Sequence, residues 1–201
     1  MGAMTPTKPW LLAVAAIVVL SACAPSNVAE SAGSATKSDI LAAYGLSGLD
    51  GREIVDRLDR TPVADRPSGL RASVRPDALV LSEAGAGEST VVELPLEEFY
   101  LSIAPYLKTT HECYYHSLTT CRGELAGQVV HVIITNRETG EVLVDEVTRT
   151  FDNGFVAYWL PKGIKATVSV EHDDHRASHD IATGPDDPTC LTTVHLEPKH
   201  E

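Results

Sequence analysis

The C-terminal half of the chain alternates apolar and polar side chains in the way that β-strands require. Valine or isoleucine stands at every second position of 130–134, and residues 136–140 turn the chain into a second run over 142–150. Two such runs joined by a short turn predict a β-hairpin. Turns rich in Gly, Pro or Asp separate three further short runs, which predict strands at 155–160, 166–171 and 190–196. Regularly spaced short strands favour a small β-sandwich.

Before residue 95 the pattern predicts two short helices and a hairpin. Residues 38–44 begin with serine and aspartate, which cap helices, and the apolar residues of 51–58 fall on one side of a helix. β-Branched residues in 71–81 and 89–94 flank a glycine-bearing turn, which predicts the hairpin. Because so short a segment forms only a thin core, we expect residues 38–94 to be a small N-terminal domain that dimerises.

Residues 96–107 predict a third helix. Apolar residues recur there at helical spacing, and Glu97 and Glu98 stand in the first turn, where the helix dipole favours acids. Pro105 is expected to interrupt this helix. The predicted fold class is therefore α+β: a small N-terminal α/β-hairpin domain, then a β-sandwich-like domain over 95–201 with a helix leading into the segment that carries the candidate site.

The N-terminus has the order of an export signal. Lys8 is followed by an apolar run over 10–20 and then by Leu-Ser-Ala-Cys, which ends at Cys23. The run is too short to span a bilayer and has the length of a signal-peptide core. Its ending resembles the lipobox of bacterial lipoproteins, in which the cysteine is acylated. We therefore predict a signal peptide over 1–22 and an exported protein held at the membrane by a lipid on Cys23, facing the periplasm or the cell exterior.

Composition narrows the classes of function. Residues 23–37 are mostly small and polar, which predicts a flexible tether. The chain carries a net charge of −12 and no concentrated basic face, which argues against a nucleic-acid partner. No Ser-His-Asp order, paired carboxylates or phosphate-binding glycine loop stands out, so hydrolytic catalysis has little basis.

Three thiols remain once the lipidated cysteine is set aside: Cys113, Cys121 and Cys190. An odd number is informative in an oxidising compartment, because a purely structural framework would pair them all. Their spacing fits neither a Cys-x-x-Cys motif nor a zinc ribbon. His111 and His116 flank the first of them, and thiolate with imidazole is a ligand set that selects a soft ion, of which Cu(I) is the softest common candidate.

Spacing alone leaves other interpretations open. Two of the three cysteines could form a disulfide that stabilises a structural or adhesive lipoprotein. A thiol–disulfide oxidoreductase is the other alternative, although the absent Cys-x-x-Cys argues against it. On an extended segment His111 and Cys113 share a face while His116 lies on the other, which favours His111 as a ligand, but a loop would remove that preference.

A second group of histidines stands near the C-terminus. His172, His175 and His179 lie in a polar segment, 171–180, that we interpret as a histidine-rich turn. Three imidazoles could form a weak Cu(II) or Zn(II) site, because these ions favour nitrogen ligands. A solvated loop is the more common explanation of such a segment.

Several stretches of the chain resemble the CueP family of copper-resistance proteins. Three separate cysteine contexts match in the same order, which makes the resemblance specific, and it covers about half the chain. The matching stretches are 94–106, 110–121, 123–125, 150–155, 159–161 and 188–193.

The resemblance implies an extracytoplasmic copper-binding protein of the bacterial copper-stress response. Cys113, Cys121 and Cys190 stand at the positions of the family's three metal-binding cysteines. The family is also associated with reduction of Cu(II), with an extracytoplasmic thiol reductase, and with supply of copper to an exported superoxide dismutase. Its arrangement of a dimerising N-terminal domain and a metal-binding C-terminal domain would suit this chain.

Thiol chemistry suggests how such a site would act. Copper binds deprotonated sulfur, so affinity is expected to fall at acid pH. If Cu(II) arrives first, two thiolates can each give up one electron, which reduces two Cu(II) ions and leaves a disulfide. The remaining thiol, with His111 or His116, would then hold Cu(I) less firmly.

Overall fold

Two α-helices and eleven strands form the part of the chain that this computed structural model describes, residues 37–199. The predicted signal peptide, the lipidated Cys23 and nearly all of the tether lie outside the described residues and stay predictions. The mixed α+β class is confirmed. No helix in the described part is long and apolar enough to cross a membrane.

Both predicted N-terminal helices are present. Helix α1 spans Lys37–Ala43 and helix α2 spans Gly51–Asp59. Asp50 and Glu53 form a capping box, in which each side chain accepts a hydrogen bond from the other's backbone N–H at 2.9 Å. The buried face of α2 ends in a carboxylate, Asp59, which becomes important at the candidate site.

A three-stranded antiparallel meander follows the helices. Its strands are β1 Leu70–Val74, β2 Ala78–Glu83 and β3 Thr90–Glu93, in the order β1-β2-β3. The hairpin predicted around residues 83–88 is confirmed as β2 and β3. The single run predicted over 71–81 is in fact two strands, because the chain turns at Pro76, which has no N–H to give to a ladder.

The helix predicted at 96–107 is wrong, and a strand, β4 Glu98–Ile103, stands in its place. This strand pairs antiparallel with β7 Val156–Pro161 and parallel with β10 Cys190–Leu191. It is the central strand of its sheet, and every residue from Phe99 to its end is buried. A strand buried on both faces shows a continuous apolar run, which periodicity alone does not separate from a helix.

The larger sheet has five strands in the order β11-β9-β8-β5-β6. The hairpin predicted after residue 129 is confirmed as its β5 and β6. The strands are β5 Val129–Asn136, β6 Val142–Arg149, β8 Lys165–His172, β9 His175–Ala182 and β11 Glu197–Pro198.

The strand predicted at 190–196 is shorter than expected, since β10 has two residues. The prediction of a histidine-rich turn over 171–180 is wrong for most of the segment. Only Asp173 and Asp174 turn the chain, and strand β9 then pairs with β8 over eight positions. Its alternate residues are exposed, so the strand can be polar and still pair.

Strand β4 lies between two hydrophobic cores because its successive side chains point in opposite directions. Phe99, Leu101 and Ile103 pack into a core shared with the five-stranded sheet, whereas Tyr100 packs with the helices and the meander. Leu118 joins the second core as well. The domain boundary near residue 95 stays a prediction. The core formed mainly by residues before this boundary also includes Tyr100 and Leu118, which follow it.

Candidate metal centre

Cys113 and Cys121 lie in an irregular segment after β4, and Cys190 is the first residue of β10. Backbone hydrogen bonds bring the two regions together: the Cys190 N–H donates to the Tyr114 carbonyl at 3.2 Å. The Thr189 hydroxyl accepts from the His116 N–H at 3.0 Å and donates to a carbonyl of β1. The cysteines that are distant in sequence are therefore held in one place by the backbone.

Side-chain burial alternates along the outer part of this segment, although it forms no strand. His111, Cys113 and Tyr115 are partly buried, whereas Glu112 and Tyr114 are exposed. The Glu124 carboxylate holds the residues just before this segment in place, because it accepts backbone hydrogen bonds from Leu107, Lys108 and Thr109. These hydrogen bonds lower the pKa of Glu124.

The three thiols are close together, and all three are free. The Sγ atoms of Cys113 and Cys121 are 3.5 Å apart, and the Ser117 N–H donates to Cys121 Sγ at 3.4 Å. Cys190 Sγ lies 3.6 Å from Nδ1 of His116. Cys121 and Cys190 are buried, and Cys113 is partly exposed.

A buried carboxylate stands behind His116. Nε2 of His116 lies 3.0 Å from Oδ1 of Asp59, and the two side chains are 0% and 1% exposed. The same carboxylate accepts hydrogen bonds from Asn153 Nδ2 at 2.9 Å and from the Tyr100 hydroxyl at 2.5 Å. The Arg66 guanidinium is 3.9 Å away. These contacts fix the imidazole so that Nδ1 faces the sulfur cluster.

The buried network pairs the negative Asp59 with the positive groups of His116 and Arg66. Burial raises the pKa of Asp59, but the neighbouring His116, Tyr100 and Arg66 outweigh it, so that the pKa lies below its ordinary value. Burial lowers the pKa of His116, yet the Asp59 charge and hydrogen bond overcome this and raise the pKa to about 9. The pair is thus an imidazolium and a carboxylate at neutral pH.

Cys121 is the thiol that ionises first. Hydrogen bonds from the Cys113 and Cys190 thiols lower the pKa of Cys121, and the positive His116 contributes in the same direction. The hydrogen bond that Cys113 donates to Cys121 raises the pKa of Cys113 to about 12. The pKa of Cys190 is raised by the same kind of contact with both other thiols. One thiolate flanked by two thiols is ready to bind a soft cation.

Two groups of side chains among residues 37–199 have the geometry to hold a metal ion. The ligand atoms of His111, Cys113 and Cys121 lie within 4.8 Å of one another, and so do those of His116, Cys121 and Cys190. Cys121 belongs to both groups. The structure therefore brings together all five residues that the sequence put forward for this site.

The histidine-rich segment is arranged differently. His172 and His175 form the last pair of the β8–β9 ladder and approach Asp173 and Asp174. His179 stands further along β9, with Nε2 3.4 Å from the Thr193 hydroxyl. In the part of the chain that the structure describes, these three imidazoles do not converge on one point.

The supporting residues were missed by sequence reasoning. Asp59, Tyr100, Asn153 and Arg66 come from four separate places in the chain and meet only in the fold. Tyr100 and Asn153 lie in stretches that carry the family resemblance, which is the one signal that pointed to them. Asp59 is the last residue of a helix whose apolar pattern gives no sign of a buried charge.

Comparison with known proteins now adds to the geometry. The profile of the family "Periplasmic copper-binding protein CueP" matches residues 53–195. A solved structure titled "Crystal Structure of S.CueP" is 37% identical, with a TM-score of 0.75, and the match covers 83% of this chain and 100% of that one. A search of curated proteins found no significant match. With the cysteine cluster in place, these findings establish that the chain belongs to the CueP family of periplasmic copper-binding proteins.

Proposed function

We propose that the protein binds Cu(I) outside the cytoplasm through Cys113, Cys121 and Cys190, with imidazole as a further donor, as part of copper resistance. Membership of a periplasmic copper-binding family supports both the metal and the export. The donor set is also the one that Cu(I) prefers, because thiolates are soft ligands and imidazole suits copper.

One observation carries the proposal: His116, Cys121 and Cys190 are all buried and present their ligand atoms within 4.8 Å of one another. The His116 imidazole is held on the side away from the sulfurs, where its Nε2 lies 3.0 Å from Oδ1 of Asp59. A metal ligand oriented by a carboxylate is a recurrent feature of protein metal sites. Burial also keeps water and competing oxidants away from a bound Cu(I) ion.

Competition against a colorimetric Cu(I) chelator tests the proposal. The fully reduced chain carries Cys23→Ser, which removes the fourth thiol, and is titrated anaerobically in mild detergent. We expect stoichiometric copper binding by the unaltered site and none by the Cys113→Ser, Cys121→Ser, Cys190→Ser triple variant. Each single variant is expected to weaken binding, and Cys121→Ser to weaken it most, because its sulfur belongs to both groups. Failure of the unaltered site to compete would contradict the proposal.

Reduction of Cu(II) is a second candidate activity, and the 3.5 Å separation of Cys113 Sγ and Cys121 Sγ favours it. Two Cu(II) ions each accept one electron, two thiols lose two protons, and one S–S bond forms at about 2.05 Å after a small approach of the sulfurs. Cys190 and the imidazoles would hold the Cu(I) product. Turnover requires an external thiol reductant, which the proposed extracytoplasmic thiol reductase would supply.

The alternatives lead to different observations. A thiol–disulfide oxidoreductase would reduce insulin without copper, and a stapled structural lipoprotein would carry one fixed disulfide and take up no metal. In this structure Cys113, Cys121 and Cys190 are all free. Copper-independent insulin reduction by the chain would favour the first alternative over the copper site.

Three properties of the intact protein belong to the same proposal. Lipid attachment at Cys23 would hold the protein at the membrane, and mass spectrometry of protein from cells tests it, with Cys23→Ser as the unlipidated control. Dimerisation through residues 38–94 is tested by sedimentation. Delivery of copper to an exported superoxide dismutase is tested by transfer of Cu(I) to the metal-free enzyme.

A further inference from the structure

The candidate site contains two overlapping donor groups rather than one. We name His111, Cys113 and Cys121 the outer group, and His116, Cys121 and Cys190 the inner group. Within each group the ligand atoms lie within 4.8 Å of one another, and Cys121 is the shared member. A metal ion could therefore pass from one group to the other without leaving Cys121.

Access to solvent differs between the two groups. An open cavity of about 550 Å³ is lined by His111, Cys113 and Cys121, the three members of the outer group. Within residues 37–199, His116 and Cys190 are not part of its lining. All three inner residues are buried, whereas two of the three outer residues are only partly so. A copper donor in solution therefore reaches the outer group first.

Support from the surrounding structure differs as well. The inner imidazole is fixed by Asp59 at 3.0 Å and packs on Phe155, with ring centroids 4.7 Å apart. His111 stands further from the same ring, at 6.3 Å, and its Nε2 atom is buried without a hydrogen-bond partner in the described part of the chain. A held imidazole favours retention of a metal, and an unpartnered one is free to take a metal up and release it.

We propose, on the basis of the copper-binding function proposed above, that Cu(I) is accepted at the outer group and then moves to the inner group by ligand exchange around Cys121. The Cu–S bond to Cys121 persists throughout. The bonds to Cys113 and His111 break as those to Cys190 and His116 form. Cys190 and the Nδ1 nitrogen of His116 each release one proton as they bind the metal. Cys113 takes up one of these protons and solvent takes the other, and copper stays Cu(I) throughout.

Rapid-mixing kinetics measure the rate of copper loading, and a separate equilibrium experiment measures the affinity, so the roles of the two groups can be distinguished. A coloured Cu(I)–bicinchoninate complex donates copper to the reduced full chain carrying Cys23→Ser, and the loss of colour gives the rate. Equilibrium competition with the same chelator gives the affinity. The variants are His111→Ala for the outer group and His116→Asn for the inner group, and His131→Ala is the control, because His131 lies on β5 outside both groups.

The His111 and His116 variants are expected to have opposite effects on the loading rate and on the affinity. His111→Ala should slow loading on the order of tenfold and leave the equilibrium affinity nearly unchanged. His116→Asn should weaken the affinity by about tenfold or more and leave the initial loading rate unchanged. The control should change neither quantity. If His111→Ala alters the affinity as much as the rate, or leaves the rate unchanged, the outer group is not a loading position and the inference is overturned.

Two further readouts keep the test decisive. Circular dichroism shows whether the His116 variant folds, and the His111 variant decides the question by itself if it does not. If the unaltered chain fails in the equilibrium competition, the copper-binding proposal fails. If it competes but the two histidine variants behave alike, only the two-position inference fails.

Discussion

Nε2 of His116 and Oδ1 of Asp59 lie 3.0 Å apart, and neither side chain reaches solvent. This contact joins the cysteine-bearing segment to helix α2, 57 residues earlier in the chain. The candidate copper site is therefore built from both sides of the predicted domain boundary. The helix contributes no metal ligand, yet it determines which imidazole nitrogen faces the sulfurs.

Asp59→Asn should destabilise the fold and weaken copper binding together. Removing one charge of a buried pair leaves the other uncompensated, and we expect a loss of about 3–5 kcal/mol in the free energy of unfolding, measured with urea on the metal-free chain. Loss of a residue that orients a metal ligand should also weaken Cu(I) binding by about 10–100-fold in chelator competition.

The control for this variant is Asp145→Asn. Asp145 pairs with His131 at 2.6 Å, but its side chain is 60% exposed. An exposed pair contributes no more than about 1 kcal/mol, so the control should retain nearly all of its stability and its copper affinity. Equal losses in the two variants would show that the Asp59 contact has no special structural role.

The stability difference between the unaltered chain and Asp59→Asn should depend on pH. Because the pKa of Asp59 is lowered in the fold, its contribution is present above the unfolded value of 3.8 and is lost as the pH falls further. Because the pKa of His116 is raised from 6.5 to about 9, its contribution is complete below 6.5 and is lost as the pH rises through about 9.

Urea unfolding of both metal-free chains across this range measures the difference directly. Arg66 and Tyr100 also face Asp59, but both residues are present in the two chains, so their own contributions to stability largely cancel in the difference. The difference should therefore be greatest between pH 3.8 and 6.5 and decline on both sides. A difference that grows steadily from acid to alkaline pH would contradict the assignment of an ion pair.

Cys121 should be a thiolate at neutral pH before any copper is added. Hydrogen bonds from the other two thiols and the charge of His116 lower its pKa, while the pKa of Cys113 and that of Cys190 are raised. The ultraviolet absorbance of thiolate should correspond to one group in the reduced chain carrying Cys23→Ser. Cys121→Ser should abolish this absorbance, and its persistence in that variant would assign the thiolate to another residue.

Anaerobic addition of Cu(II) to the reduced chain should yield two Cu(I) ions for each disulfide formed. The Sγ atoms of Cys113 and Cys121 lie 3.5 Å apart, so peptide mass spectrometry should find these two residues linked. Cys113→Ser is the matched variant, since it leaves the buried pair of thiols in place. Reduction of Cu(II) with all three thiols still free would rule out the cysteines as the source of electrons.

The sequence was sufficient for elements with a clear period and insufficient where burial or pairing changed the pattern. The β5–β6 hairpin was predicted because every second residue of β5 is buried, which keeps the strand period visible. Strand β4 was predicted as a helix because neighbours on both faces bury every residue from Phe99 onward, which removes the alternation. Strand β9 was interpreted as a turn because its polar residues gain their order from the ladder with β8.

The candidate site was likewise predictable only in part from the sequence. Thiols and imidazoles could be selected from the sequence because few residue types bind a soft metal. Asp59 and Asn153 could not, since their importance comes from contacts across 57 and 94 residues, and no local pattern encodes such distances. The choice between His111 and His116 also depended on the fold, which places each imidazole beside a different pair of sulfurs.

The most direct test of the account is X-ray absorption at the copper edge of the reduced chain loaded with one equivalent of Cu(I). Sulfur neighbours are expected, together with a contribution from imidazole that is retained in His111→Ala and lost when His111→Ala and His116→Asn are combined. A copper ion surrounded by nitrogen and oxygen alone would contradict the central claim that Cys113, Cys121 and Cys190 form the metal centre.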